Sequence, residues 1–219
     1  DLMRRITDVR LPAPLGSDRE RRHWVDLNDD GHIVAIQPQV EAEQRHGSNW
    51  HGDWLSPRGI DLQINGGLGL AFPELVDQDL PRLIALLELL WQDGVEAIAP
   101  TLVTCGIGPL RRALEVLRQA RRQHQPGRCR LLGAHLEGPF LAEARRGAHP
   151  IEHLATPSLE SLEQRIRGFE SEIALVTLAP ELAGADVVIS ALRQRNITVA
   201  LGHSAAKAEQ AGQAFEQGV

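Results

Sequence analysis

From Pro57 onward, short apolar runs alternate with longer segments of helical periodicity, and this alternation constrains the fold more than any other feature of the chain. A repeated strand–helix–strand pattern requires a parallel sheet with right-handed crossovers. The pattern predicts strands over 60–64, 97–103, 130–136, 173–178 and 197–201. Between them it predicts helices over 80–91, 109–122 and 180–195, one opened by Thr156-Pro157 with Thr156 as N-cap, and a last one capped by Ser204 and running to about 217. Two architectures fit: an open doubly wound sheet and a (β/α)8 barrel. No Gly-x-Gly-x-x-Gly follows the first strand, which removes the main support for a dinucleotide-binding sheet. The expectation is therefore an α/β chain whose residues 57–219 form a (β/α)8 TIM barrel truncated after about five strand–helix units.

Residues 1–56 read differently. A strand is expected over 6–11, and the runs 24–27 and 33–36 flank Asn28-Asp29-Asp30-Gly31, a hairpin signal. The polar stretch 41–53 reads as loop. This segment is expected to be a small β-domain.

Composition bounds the partners. A formal net charge of −6 argues against nucleic acid or an anionic membrane as the main partner. Lys207 is the single lysine and sits past the fifth strand, which disfavours Schiff-base chemistry. Cys105 and Cys129 are the two cysteines and form no disulfide framework, so a reducing, cytoplasmic setting is expected. The first residues show no signal-peptide pattern, and no run reaches the length of a membrane span.

In parallel α/β folds the working residues sit at the C-terminal ends of the strands. There the sequence places Gln63 and Asn65 on the first strand, Thr101 and Thr104 on the second, and His135 and Glu137 on the third. Thr177 and Glu181 follow on the fourth and His203 on the fifth. A carboxylate and an imidazole converging with one position open suit a catalytic divalent metal. Each residue also has a structural reading. Glu137 is either a metal ligand or one half of an ion pair, and His203 a ligand or a loop cap. Gln63 and Asn65 are either site residues or amides pinning the Asn65-Gly66-Gly67 turn. His135 shares a strand face with Glu137 and either supports it or merely bonds to it. His23, His32, His46, His51, His124 and His153 lie in polar stretches and are expected in solvent.

Several strings, taken in order, resemble one family. These are 56–67, Ser-Pro-Arg-Gly-Ile-Asp-Leu-Gln-Ile-Asn-Gly-Gly; 100–104, Pro-Thr-Leu-Val-Thr; and 135–141, His-Leu-Glu-Gly-Pro-Phe-Leu, followed by Arg146-Gly147-Ala148-His149. Val176-Thr177-Leu178-Ala179-Pro180-Glu181 and Gly202-His203-Ser204 complete the set. Together they resemble the N-acetylglucosamine-6-phosphate deacetylases of the amidohydrolase superfamily, with Arg58 as a local departure. The resemblance implies a barrel with a small β-sandwich domain built from both chain ends, of which 1–56 is the N-terminal part. It also implies hydrolysis of N-acetylglucosamine 6-phosphate to glucosamine 6-phosphate and acetate in amino sugar catabolism.

By position in the family, Glu137 and His203 correspond to metal ligands, and Gln63 to a residue reaching the metal through water. Ala148 and His149 correspond to substrate contacts, with His135 and Asn65 in supporting positions. One divalent metal per subunit, zinc or similar, and a homo-oligomer (dimer or tetramer) follow from the same resemblance. The family's third ligand, a histidine, and its catalytic aspartate fall beyond Val219, so residues 1–219 alone are expected to be inactive. The rival readings are another amidohydrolase and a non-catalytic barrel fragment. Dihydroorotase-like enzymes are disfavoured, because they carry His-x-His where this chain has Gln63-Ile64-Asn65.

Overall fold

The structure is a computed structural model and describes residues 4–12, 18–40 and 46–219. The chain divides into two compact units, residues 1–58 and 59–219.

In the first unit, β1 (Arg4–Arg10), β2 (Arg22–Leu27), β3 (Ile33–Pro38) and β4 (Ser48–Asn49) form one sheet in the order β3-β2-β1-β4. The hairpin expected at Asn28–Gly31 joins β2 to β3, with Asn28 Oδ1 accepting from the Asp30 and His32 amides as an Asx turn does. The 41–53 stretch, expected to be loop throughout, contributes β4, which pairs in parallel with β1; residues 41–45 lie outside the described residues. Arg5 reaches across to Asp26 in a two-bond ion pair. His23, expected in solvent, is half-buried on β2, and its Nδ1 has no hydrogen-bond partner among the described residues.

In the second unit, β5 (Gly59–Ile64) is followed by the small ribbon β6 (Gly66–Gly67) and β7 (Leu70–Ala71), then helix α1 (Leu80–Gln92). The chain continues through β8 (Val95–Val103), α2 (Ile107–Arg122), β9 (Arg130–Leu131), β10 (Ala134–Glu137) and α3 (Leu159–Ile166). It then runs through β11 (Ile173–Leu178), α4 (Ala185–Gln194), β12 (Thr198–Leu201) and α5 (Ala208–Gln217). The parallel strands lie in the order β12-β11-β10-β8-β5, with β9 also on β8. Spatial order follows chain order without a reversal. A doubly wound sheet needs a reversal at its switch point, so the sheet is a curled, parallel half-barrel with its helices outside.

The core lies between this sheet and the helices. The run Ala97, Ile98, Ala99 and Leu102 of β8 is buried, as expected for a parallel strand covered on both faces. Helix α2 presents Leu110, Ala113, Leu114 and Leu117 to it at helical spacing, with Arg121 and Arg122 in its last turn, where cations favour the dipole.

β1, β8 and α2 each start two residues earlier than expected, and four further boundaries differ for an identifiable local reason. The third strand breaks into β9 and β10 at Gly133, whose φ of +130° no side chain tolerates there, since a Cβ would sit 2.8 Å from the Ala174 nitrogen. Helix α3 is capped by Ser158, not Thr156: Ser158 is extended and its Oγ accepts from the Ser161 amide at 3.1 Å. Helix α4 starts at Ala185, since residues 180–184 turn first. Ser204 does not cap α5. Its Oγ is bound to Glu181, and α5 begins after Lys207, whose amide donates to Gln210 Oε1.

No helix among the described residues is long and apolar enough to cross a membrane. Cys105 and Cys129 are both free thiols. Burial, with Glu96 adding to it, pushes the Cys129 thiol up to about 11. Since the thiolate is the nucleophile, the folded chain should alkylate slowly at Cys129 even at pH 9, where an unfolded thiol is largely ionised. Time-resolved iodoacetamide labelling read by mass spectrometry should show Cys129 reacting only at the rate of unfolding; rapid labelling of native protein would contradict this burial.

Candidate metal centre

Glu137 ends β10, and the chain then turns sharply through Gly138. That residue has φ +93°, and a Cβ on it would lie 2.1 Å from Thr104 Oγ1. The turn is pinned on three sides. Gly138 N donates to Thr177 O at 3.1 Å, Ala179 N to Phe140 O at 2.8 Å, and Ala142 N to His203 O at 2.9 Å. The last bond ties the loop after β10 to the loop after β12, where His203 sits with φ +48°. Glu181 shapes that second loop, accepting from Ser204 Oγ and from Ala205 N at 2.6 Å each. Strand ends that are not sheet neighbours are thereby brought together above the sheet.

Three metal-type side chains converge there. One ligand atom from each of Glu137, His149 and His203 lies within 4.8 Å of the others. His203 Nδ1 is 2.9 Å from the Arg145 carbonyl, which can only accept, so Nδ1 carries the ring proton. His203 Nε2 then turns its lone pair toward Glu137 Oε1 at 3.0 Å. A lone pair facing a carboxylate oxygen needs a positive charge to share, either an added proton or a metal ion. A histidine whose other nitrogen is bound to a backbone carbonyl is also the usual support for a metal ligand. The donor set therefore fits a divalent cation of the zinc type, which takes imidazole nitrogen and carboxylate oxygen.

His149 is buried, and its Nε2 lies 3.9 Å from Glu137 Oε1. Its ring meets His203 edge to face, with centroids 4.5 Å apart. Thr104 holds the ring from behind: its amide donates to Nδ1 at 3.3 Å and its Oγ1 lies 2.9 Å away. With the Thr104 amide on Nδ1, the neutral ring carries its proton on Nε2 and offers it to an oxygen beside Glu137. Burial lowers the His149 pKa, an effect that Glu137 opposes and His203 reinforces, so the ring is neutral near pH 7.

Of the remaining sequence candidates, Gln63 reaches the cluster. Its Nε2 donates to Glu137 Oε2 at 3.1 Å and lies 3.4 Å from Asn65 Oδ1. Ala148 is exposed next to His149 in the loop after β10. His135 is buried one step below Glu137 and does not bond to it; its partners are Leu62 O, Thr101 Oγ1 and Thr177 Oγ1. Burial holds its pKa down as well. His46, His51, His124 and His153 are exposed, His153 on the rim of a cleft of ≈ 520 Å³ that also touches Asn65 and Thr104.

Two supports had no assigned role in the sequence reading. Thr104 was visible only as a strand-end threonine, and the link to His149 spans 45 residues. The Arg145 contact is made by a backbone carbonyl, for which no side-chain signal exists.

No family model matches the chain. It is 35% identical over 201 residues to the N-acetylgalactosamine-6-phosphate deacetylase of Escherichia coli O157:H7, covering 89% of this chain and 51% of that protein. It is 38% identical over 194 residues to the N-acetylglucosamine-6-phosphate deacetylase of Bos taurus, covering 87% and 46%. Among solved structures, the N-acetyl-D-glucosamine-6-phosphate deacetylase of Mycobacterium smegmatis superposes with a TM-score of 0.74 at 26% identity, covering 99% of this chain and 58% of that one. The chain thus spans about half the length of the curated relatives it matches.

The Gly138 turn supplies a test of this geometry. Gly138→Ala places a methyl group against Thr104 at an unfavourable φ and should destabilise the protein by about 1–3 kcal/mol. Urea unfolding followed by circular dichroism measures this; a variant as stable as the parent would show that the turn is not held as described.

Proposed function

We propose that this chain, homologous to the N-acetylglucosamine-6-phosphate deacetylases over about half their length, carries the metal-holding part of a deacetylase active site, with N-acetylglucosamine 6-phosphate as substrate. The observation that carries the reading is the His203–Glu137 contact. An imidazole whose proton is committed to Arg145 O faces a carboxylate at the C-terminal mouth of a parallel half-barrel.

In this reading Glu137 and His203 hold one divalent ion, zinc or similar. Such an ion supplies Lewis acidity, activating water and polarising the amide carbonyl. Gln63, a neutral amide and a weak ligand, orients a water or substrate oxygen beside Glu137. His149, neutral and held from behind by Thr104, donates from Nε2 to a substrate oxygen, with Ala148 lining the approach. His149 lies close enough to serve as a ligand instead if the ring takes its other tautomer, with Nδ1–H on Thr104 Oγ1. By the family resemblance, the acid that protonates the leaving amine is an aspartate outside residues 1–219, and the half-barrel is part of a (β/α)8 barrel. On the same basis 1–56 belongs to a small β-sandwich domain, the assembly is a cytoplasmic homo-oligomer, and the chain 1–219 is inactive by itself.

A second substrate reading has its own support. The Escherichia coli relative carries N-acetylgalactosamine 6-phosphate in its name. The two sugars differ only at C4, remote from the acetamide on C2, so the metal cluster does not distinguish them. Assaying both sugar phosphates with the complete enzyme decides between them.

Glu137→Gln keeps the shape of the side chain but removes its charge. In the complete enzyme it should lose most bound zinc on elemental analysis and lower deacetylation by at least ~100-fold, since it removes a ligand. Full metal content with near-parental turnover would refute the assignment. His149→Ala should raise KM for the sugar phosphate about tenfold or more while retaining the metal, as loss of a charge-neutral hydrogen bond to substrate does. Loss of metal with unchanged KM would make His149 a ligand instead.

A further inference from the structure

The β5–β8 ladder is irregular at one point: Asp61 pairs with Ile98 and Ile64 with Pro100, so three steps on β5 match two on β8. Leu62 and Gln63 form a bulge. Pro100 has no amide hydrogen to offer, and prolines inside sheets are found at edges and bulges. Bulges next to active sites re-aim a side chain, and here the re-aimed side chain is Gln63, which ends 3.1 Å from Glu137.

A bulge leaves backbone groups without ladder partners, and such groups are costly when unsatisfied. In this protein three of the backbone groups at the bulge find side chains. The Gln63 amide donates to Asp61 Oδ1 at 2.9 Å, and the Ile64 amide to Thr101 Oγ1 at 3.1 Å. The Leu62 carbonyl accepts from His135 Nδ1 at 3.0 Å. That last bond comes from β10, two strands away, and passes over β8. A carbonyl only accepts, so the His135 proton is fixed on Nδ1. Nε2 is thereby left to accept from Thr177 Oγ1 on β11 at 2.7 Å. Thr101 Oγ1 on β8 stands 3.2 Å from Nδ1. One buried imidazole therefore links β5, β8, β10 and β11 beneath the metal cluster.

We infer that His135 is a positioning residue that acts through Gln63: it holds the Leu62–Gln63 bulge at the height where Gln63 meets Glu137. The inference rests on the metal-site reading above and adds a device to it. His135 touches neither ion nor substrate in this account.

The test is a double-mutant cycle in the complete enzyme, with His135→Leu, His135→Asn, Gln63→Ala and the combinations with Gln63→Ala. His135→Leu removes the bonds to Leu62 O and Thr177 Oγ1 together with the Thr101 contact. His135→Asn keeps a donor near the Nδ1 position and gives up the Thr177 bond. His135→Leu should lower kcat about 10–100-fold, the usual cost of losing a supporting partner at a metal site, with KM changed less than about threefold. His135→Asn should restore most of that loss. In the Gln63→Ala background His135→Leu should cost little more, because groups acting through one another are non-additive. Full additivity, or no rescue by His135→Asn, would overturn the inference.

The affinity for zinc, measured by equilibrium dialysis, gives the same cycle without substrate. Parental protein that binds zinc but deacetylates neither sugar phosphate would sink the substrate reading, while a non-additive zinc cycle would still uphold the role of His135. Should His135→Leu not fold, Thr101→Val releases the Ile64 amide from the same bulge and should reproduce the kcat loss in protein that still folds, at some cost in stability; unchanged kcat in the folded variant would count against the inference.

Discussion

The site depends on one contact, an imidazole nitrogen of His203 facing a carboxylate oxygen of Glu137 at 3.0 Å while the ring's other nitrogen is committed to a carbonyl. Without a shared proton or metal ion that arrangement is repulsive, and the surroundings are organised to hold it. The Arg145 carbonyl fixes the proton on the far nitrogen of His203, and the Ala142 amide fixes the His203 backbone. Glu181 fixes the loop beyond, and Thr104 binds the carbonyl of Glu137 itself. The neutral bonds are ordinary ones, worth about 0.5–1.5 kcal/mol net, and those to the Glu181 carboxylate about 1.5–3 kcal/mol. Their combined effect is to hold two groups where only a shared positive charge makes the geometry favourable.

Much of this was legible in the sequence because it follows from periodicity. The alternation of apolar runs and amphipathic segments gave the parallel sheet, and the rule that chemistry gathers at strand ends located Gln63, Glu137 and His203. His149 emerged only from resemblance, since nothing in the composition of Arg146-Gly147-Ala148-His149 says that the loop folds back onto Thr104. Helix starts were misplaced where another side chain intervened, as when Ser158, downstream, capped in place of Thr156 and when Glu181, far upstream, occupied Ser204. Contacts that join residues 45 to 74 apart, such as Thr104 with His149 and Gln63 with Glu137, have no local signature. The bulge had a sequence mark in Pro100, whose meaning depends on knowing that its strand lies inside the sheet.

His135 and Glu137 share one strand face and show how burial separates their roles. Two residues of strand carry the side chain about 6–7 Å along the axis. That step moves from a solvent-reaching carboxylate to an imidazole with both nitrogens engaged by the protein. The outer position keeps free coordinating capacity, and the inner one has none left.

The strand order β5, β8, β10, β11, β12 has a consequence for how the sheet is made. Each strand, as it leaves the ribosome, finds its neighbour already present as the strand before it, one helix back in the chain. Closure loops stay short, and at each moment a single growing edge is exposed on that side. Such a sheet can be laid down in the order of synthesis, with pairing keeping pace with translation. His203 arrives behind β12, the last of these strands to be made, and only then can it meet Glu137. Until then Glu137 is a carboxylate awaiting its partner, so the geometry of the cluster depends on the pairing of β12 with β11.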